Sequence, residues 1–384
     1  MIDPKEFEEI RYYYDEDVQE KLGNLLNEPA IEQCINMFFP GQDLEQFKAY
    51  ARTLNTVEGF QRGIIGQVVE GVMKKCCDSV ELRGAEHIVP GRAATYVTNH
   101  RDIVLDSAFL NTLLIRHNQP TAAIAIGDNL LAYDWIKDLV RLNKSFIVLR
   151  SLPPRQLLMA SMRLSQYIHY VINERKNPVW IAQREGRSKD SSDETQASVI
   201  KMLALGGETK DIMQNIRHLN VQPVALSYEF DPCDYLKAAE YQLKRDNAAW
   251  KKSKADDLLS MQTGIFGYKG RVVFTITPEV NAIFDTYPWI DDKNAQVNTV
   301  CETIDHALHS NMVLFPINYL AYDLRFGTEK YADKMTAEER DKAVAYLNGQ
   351  LAKIDVPNKD EDFLWERLLT MYSNPVVNME KLKG

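Results

Sequence analysis

Between Ser79 and Phe230, short β-rich runs alternate with helical ones, and this alternation restricts the fold more than any other feature of the chain. "SVELRG" alternates apolar and polar residues, "AATYVTN" is β-rich, and "DIVLDSAFLNTLLI" reads as a buried helix. "TAAIAIG" is a strand, "LAYDWIKDLVRL" a helix and "SFIVLR" a strand. "PPRQLLMASMRLSQYIHYVINER" is a long helix with Pro153 and Pro154 at its start, where fixed φ and a missing N–H cost nothing. "PVWIAQREGRS" is a strand running into a polar loop, and "LNVQPVALSYEF" is another strand after an Ala- and Gly-containing helical stretch. Strands alternating with helices of roughly 10 to 20 residues predict an α/β fold, a mostly parallel sheet flanked by helices.

The flanks read differently. Residues 1–78 predict an N-terminal helical domain, residues 79–330 the α/β domain, and residues 331–384 a C-terminal helical extension. In "EGFQRGIIGQVVEGVMKK", Phe60, Ile64, Val68 and Val72 recur every four residues and make one apolar stripe on a helix. That stripe packs on the rest of the protein in the simpler reading and touches a membrane interface in the sharper one. "GRVVFTITPEV" predicts one more strand, and Thr336 with Glu339 fits a capping box at the start of a C-terminal helix.

Composition removes several function classes. A net charge of −9 opposes non-specific nucleic-acid binding, which depends on neutralising phosphates with Lys and Arg. The five cysteines are odd in number and contain no CxxC pair, so neither a disulfide framework nor a zinc site is expected. The N-terminus shows no signal-peptide pattern, and no apolar run reaches the ~20 residues of a membrane span. The expectation is a cytoplasmic protein, with room for peripheral attachment to the inner face of the membrane.

The chemistry concentrates in "YVTNHRDIVLDSAFLN", residues 96–111. His100 follows a β-like run and precedes a helix, which is where α/β folds present reacting groups. A nearby carboxylate would fix the imidazole tautomer and stabilise the imidazolium, the usual way to hold a general base. On one regular helix His100 and Asp106 would lie about 240° apart and could not meet, so His100 has to precede the helix on a turn. Asp102 suits the N-cap position. A kinase reading of "HRD" fails, because Ser107 stands where the catalytic-loop Asn is required and the companion motifs are missing. His117, His169, His218, His306 and His309 lack metal-ligand partners in sequence, and no metal site is expected. "GRSKDSSDETQ" reads as a mobile loop beside the site.

"VELRGAEHIVPGRAATYVTNHRDIVLD", the strand of "KSFIVLR" ending in Arg150, "AQREGRSK" and "VQPVALS" follow one another within residues 79–230. In that order they resemble the four motif blocks of the phospholipid and glycerol acyltransferase family, which includes glycerol-3-phosphate and 1-acylglycerol-3-phosphate acyltransferases. The chain departs from the family pattern at three points. Five residues rather than four separate His100 from Asp106, Arg184 stands in place of a Pro, and Glu185-Gly186-Arg187 is one residue shorter than the family's third block. Either a local bulge absorbs the extra residue, or Asp102 takes the role of the dyad carboxylate.

The resemblance implies acyl transfer from a thioester, acyl-CoA or acyl carrier protein, to a hydroxyl of glycerol 3-phosphate or a lysophospholipid. It needs no cofactor beyond that co-substrate. His100 would act as base and Asp106 would orient it. Arg150, Arg187 and Lys189 would hold a phosphate, with Glu185 and Gly186 shaping the acceptor side. A lipid- or acyl-carrier-binding relative without turnover is the alternative.

Overall fold

The computed structural model describes residues 4–131, 133–150 and 152–383. Helices α1 (Asp15–Leu25), α2 (Pro29–Phe38), α3 (Leu44–Ala51) and α4 (Val57–Phe60) come first. A π-helical turn, Gln61–Ile65, joins α4 to α5 (Gly66–Cys76). Then follow β1 (Ser79–Arg83), β2 (Thr95–Thr98), α6 (Leu105–Arg116), β3 (Ala123–Gly127), α7 (Asp134–Leu142), β4 (Ser145–Val148) and α8 (Pro154–Asn173). Next are β5 (Val179–Ala182), α9 (Ala197–Leu205), α10 (Ile212–Arg217), β6 (Val221–Tyr228), α11 (Asp234–Asp246), α12 (Lys254–Phe266) and β7 (Arg271–Ile276). The chain closes with α13 (Asn281–Phe284), α14 (Lys293–Ser310), α15 (Pro316–Phe326), α16 (Ala337–Lys353) and α17 (Glu361–Lys381). The helix expected from Leu131 begins at Asp134, and Ala132 lies outside the described residues.

The seven strands form one sheet in the order β1-β7-β6-β2-β5-β3-β4. Every neighbouring pair is parallel except β6 with β7. This is the α/β fold expected from the alternation of elements. Successive strand residues face opposite sides, as the pleat requires. Val97, Ile181 and Ala225 join α8, α9 and α14 in one core, while Tyr96, Trp180 and Val224 join α5 and α6 in the other. Phe7, Ile10, Tyr12 and Tyr14 pack into the first of these cores.

The apolar stripe of the α4–α5 segment is packed inward, but with a shift. Phe60 and Ile64 are buried as expected, yet Val69 rather than Val68 continues the line, followed by Val72, Met73 and Cys76. The π-helical turn between them adds a residue to one turn and rotates everything after it. The stripe therefore passes from the N-terminal helical cluster, around Leu142, onto the sheet.

Helices α15, α16 and α17 pack with α11 around a third core. Asp234, at the start of α11, is fully buried there and accepts hydrogen bonds from Tyr372 Oη, at 2.6 Å, and from Gln350 Nε2. Burial pushes its carboxyl up to about 7. The folded state therefore keeps a proton that the unfolded chain releases near pH 4, so Asp234 lowers stability as pH rises from about 4 to about 7. An Asp234→Asn variant should lose this slope. In urea melts its stability relative to wild type should increase between pH 4.5 and 7.5, and an unchanged difference would refute the assignment.

Candidate active site

His100 sits just past the C-terminal end of β2, the middle strand of the sheet. Backbone bonds on both sides fix this end. The Asn99 side-chain amide donates to Leu226 O at 3.0 Å and accepts from Leu226 N at 2.8 Å, extending the pairing with β6. Towards β5, Gln183 N donates to Thr98 O at 2.8 Å and Ser188 N donates to His100 O at 3.0 Å.

The ring of His100 meets Asp106, with Nδ1 and Oδ2 2.8 Å apart. The same oxygen accepts from Arg101 N at 2.7 Å and Asp102 N at 3.1 Å, and the other oxygen accepts from Tyr228 Oη at 3.1 Å. Burial and the Asp106 charge hold the Tyr228 pKa well above that of a free phenol, so this donor keeps its proton. An ionised carboxylate only accepts, so a neutral imidazole paired with it carries its proton on Nδ1 and keeps the lone pair of Nε2. Trp180 stands edge-on to the imidazole, with ring centroids 6.0 Å apart.

The five-residue spacing is accommodated locally. Helix α6 begins only at Leu105, and the amides of Arg101 and Asp102 curl back onto Asp106 in its first turn. Asp102 faces elsewhere. Its Oδ1 accepts from Val104 N and Leu105 N, both at 2.8 Å, so it holds the entrance to α6 from two residues before the N-cap, which is Val104 and not Asp102 as expected. Burial and the neighbouring Asp106 raise the Asp102 pKa. The other oxygen lies against α12 at Gly264, where an added Cβ would come within 2.0 Å of it. Of the two aspartates singled out in the sequence, Asp106 is therefore the one in contact with the histidine.

His100 lines a cleft of about 980 Å³. Its apolar lining includes Ile136, Val140, Ile147, Leu157, Leu164 and Met202. The lining also carries the cations Arg150, Arg187, Lys189, Lys237, Lys244 and Lys252. Arg150 lies after β4 with Nη1 3.7 Å from Glu185 Oε1, a loose pairing on an exposed rim. Gly186 takes a left-handed turn (φ 71°) that favours glycine and leads to Arg187. Arg187 Nη1 is buried and has no hydrogen-bond partner among the described residues. Burial works against the Arg187 charge, but Cys233, Asp102 and Asp231 more than offset it and raise its pKa. Lys189 is less available, because its ammonium is paired with Glu240, which also holds Lys244 at 3.0 Å.

Three of these cations were not singled out by sequence reasoning. Lys237 is buried, bonded to Asp231 Oδ2 at 2.5 Å and to Arg101 O at 3.3 Å. Lys244 and Lys252 also line the cleft. The charged helical composition of residues 234–252 was the one available signal.

The loop after Lys189 is not the mobile surface segment its composition suggests. Ser188, Ser191 and Asp193 are buried. Asp193 receives Arg101 through two bonds, Nη1 to Oδ1 at 2.7 Å and Nη2 to Oδ2 at 2.5 Å. Asn374 Nδ2 donates to Asp190 O at 2.7 Å and Asn378 Nδ2 to Ser192 O at 2.9 Å. From α14, Asp305 accepts from Thr195 N at 2.8 Å, and His309 Nε2 lies 3.0 Å from Asp193 O. Polar side chains on two later helices satisfy the loop's backbone, which is what allows it to be buried. Among the described residues, no group of three or more His, Cys, Asp or Glu side chains is arranged to hold a metal. No described helix is long and apolar enough to cross a membrane.

No curated protein matches the chain at a significant level. Among solved structures, it is similar to the crystal structure of the 1-acyl-sn-glycerophosphate (LPA) acyltransferase PlsC from Thermotoga maritima. The identity is 12%, over 75% of this chain and 95% of that one, with a TM-score of 0.37. Residues 79–226 match the model of the Acyltransferase family. That stretch holds His100, Asp106, Arg150 and Arg187.

Proposed function

We propose that the protein transfers a fatty acyl group from a thioester, acyl-CoA or acyl carrier protein, to a hydroxyl of glycerol 3-phosphate or of a lysophospholipid such as 1-acylglycerol 3-phosphate. The observation that carries this reading is the place of His100, held by Asp106 on the wall of a cleft lined by both apolar and cationic side chains. The apolar side chains suit an acyl chain. The cationic ones suit a phosphate, for which guanidinium groups offer paired donors.

In this mechanism Nε2 of His100 takes the proton of the acceptor hydroxyl. The oxygen attacks the thioester carbonyl, the C–S bond breaks, and the leaving thiolate takes the proton back from the imidazolium. An ester and a free thiol result, and the reaction balances without a further group. Asp106 holds the ring and stabilises its cationic form, while Arg150 and Arg187 hold the phosphate. A cytoplasmic location, with peripheral contact to the inner membrane face, follows from that donor class.

Thiol release and ester formation by the purified protein test the reading, using both donor types against phosphorylated and phosphate-free acceptors. Arg150 is the cleaner cation to remove, because it is half-exposed and loosely paired. Arg150→Ala should raise KM for a phosphorylated acceptor ~10- to 100-fold, the range of a lost charge-assisted hydrogen bond, and leave KM for 1-acylglycerol unchanged. If no thioester yields an ester with any acceptor, the chain is a binding relative and not an enzyme.

A further inference from the structure

The groups around the Asp106 carboxylate come from two places. His100 Nδ1 and the amides of Arg101 and Asp102, all on its own turn, lie 2.8, 2.7 and 3.1 Å from one oxygen, Oδ2. The other oxygen, Oδ1, accepts from Tyr228 Oη at 3.1 Å, and Tyr228 is 122 residues further along the chain.

Strand register brings the phenol there. β6 pairs with β2 at Val224 and Thr98, and the Asn99 side chain carries the pairing on to Leu226. Tyr228 ends β6 two residues later, on the same face of the pleat. Val224, Leu226 and Tyr228 all join the core beneath α6. Phe109, one turn after Asp106 on α6, holds its ring 6.4 Å from the Tyr228 ring. A phenylalanine would fill this place as well as a tyrosine. The apolar core has no use for the hydroxyl, which is buried and turned onto Oδ1.

We infer that Tyr228 is a positioning residue of the dyad: its hydroxyl ties the Asp106 carboxylate to the sheet and shares its charge, and so sets how strongly His100 holds a proton. A donor on a carboxylate stabilises the charged form, and the imidazolium competes for that same charge. Without the phenol, Oδ1 is left buried and unpartnered, and the carboxylate favours the imidazolium more strongly. Tyr228→Phe should therefore raise the pH at which the His100 ring titrates.

The surrounding groups do not supply this effect. Arg101, on the same turn, is paired with Asp193, and on the α11 side Lys237 is paired with Asp231. Arg187 follows β5, and its charge is favoured by Cys233, Asp102 and Asp231. Burial keeps the thiols of Cys77, after α5, and Cys233 protonated, pushed up to about 11 and about 12. Burial and the Asp106 charge also raise the Asp102 pKa, so the titration is repeated in an Asp102→Asn background and should shift in the same way.

The imidazole resonances of the full chain are followed by NMR against pH, with the His100 signal identified by its absence from His100→Ala. Tyr228→Phe should move the His100 midpoint up by about half a unit or more. A 3-fluorotyrosine placed at position 228, close to tyrosine in size and a stronger donor, should move it down. In turnover assays the acid limb of kcat/KM should shift as the midpoint does. Since Tyr228 stands outside the cleft, kcat should fall about 5- to 20-fold in Tyr228→Phe with KM within about 2-fold of wild type. With Asp106→Asn already in place, Tyr228→Phe should lower kcat no further.

The inference falls if the His100 midpoint is the same in wild type and Tyr228→Phe, or if the fluorinated protein titrates at or above the wild-type midpoint. It also falls if Tyr228→Phe lowers turnover equally with and without the Asp106 carboxylate, because the phenol then serves the core alone. Should Tyr228→Phe not fold, the fluorinated protein decides by itself. The turnover readouts rest on the acyl-transfer reading, and the titration does not. A shifted midpoint in a protein that turns over no thioester would leave the positioning role standing and remove that reading instead.

Discussion

His100→Ala should lower acyl transfer by about a hundred- to ten-thousand-fold, the span that a positioned general base contributes, with donor binding retained. The ring is mostly buried but contributes little to either core, so the variant should melt close to wild type. The two aspartates then separate the roles around it. Asp106→Asn replaces an acceptor that faces four donors with a group that also carries an NH₂, so the histidine loses both its orientation and the charge that stabilises its cation. A loss of ~100-fold or more in kcat is expected, with a smaller effect on KM. Asp102→Asn should change kcat by less than about 3-fold, since an asparagine Oδ1 can accept from Val104 N and Leu105 N as the aspartate does. If Asp102→Asn abolishes turnover in a folded protein while Asp106→Asn does not, the pairing has been assigned to the wrong carboxylate.

Much of this site was legible because its determinants are local. The switch from β-rich runs to helical ones placed His100 after a strand, and 100° per residue required it to lie on a turn before the helix if it was to meet Asp106. The rest depended on partners far apart in sequence. Arg101 and Asp193 are 92 residues apart, and nothing in "GRSKDSSDETQ" shows that Asn374, Asn378, Asp305 and His309 will satisfy its backbone. Polar composition suggested exposure because it does not reveal who the hydrogen-bond partners are. Lys237 escaped notice for the same reason, its partner Asp231 and its place under Arg101 being set by how α11 docks. The π-helical turn at Gln61–Ile65 changes no residue type, so the step from Val68 to Val69 could not be read from spacing. Where β7 would insert was also hidden. It joins the sheet between β1 and β6 after two intervening helices, antiparallel to β6, and no sequence periodicity encodes that choice.

The largest loss of stability should come from Asp193→Asn. Asp193 is fully buried and holds Arg101, itself 6% exposed, through two short bonds. Removing one charge leaves the guanidinium buried without its counter-ion, a change that costs about 3–5 kcal/mol when a buried pair is broken from one side. Asparagine is the right replacement because residue 193 has a left-handed backbone (φ 49°), which Asn tolerates and most residues do not, so the effect reports charge and not strain. The consequence should reach the site. Arg101 follows His100 directly and its amide binds Asp106, while the loop carrying Asp193 also supplies Ser188 N to His100 O. Urea unfolding should therefore show a lower midpoint, and turnover at a temperature where the variant is still folded should fall as well. Arg101→Met in the Asp193→Asn background removes the stranded charge and should recover more than half of the lost stability, because an apolar pair can replace a buried ion pair at little cost. If Asp193→Asn unfolds within about 1 kcal/mol of wild type, the pair is not screened from water and the loop is not held by it.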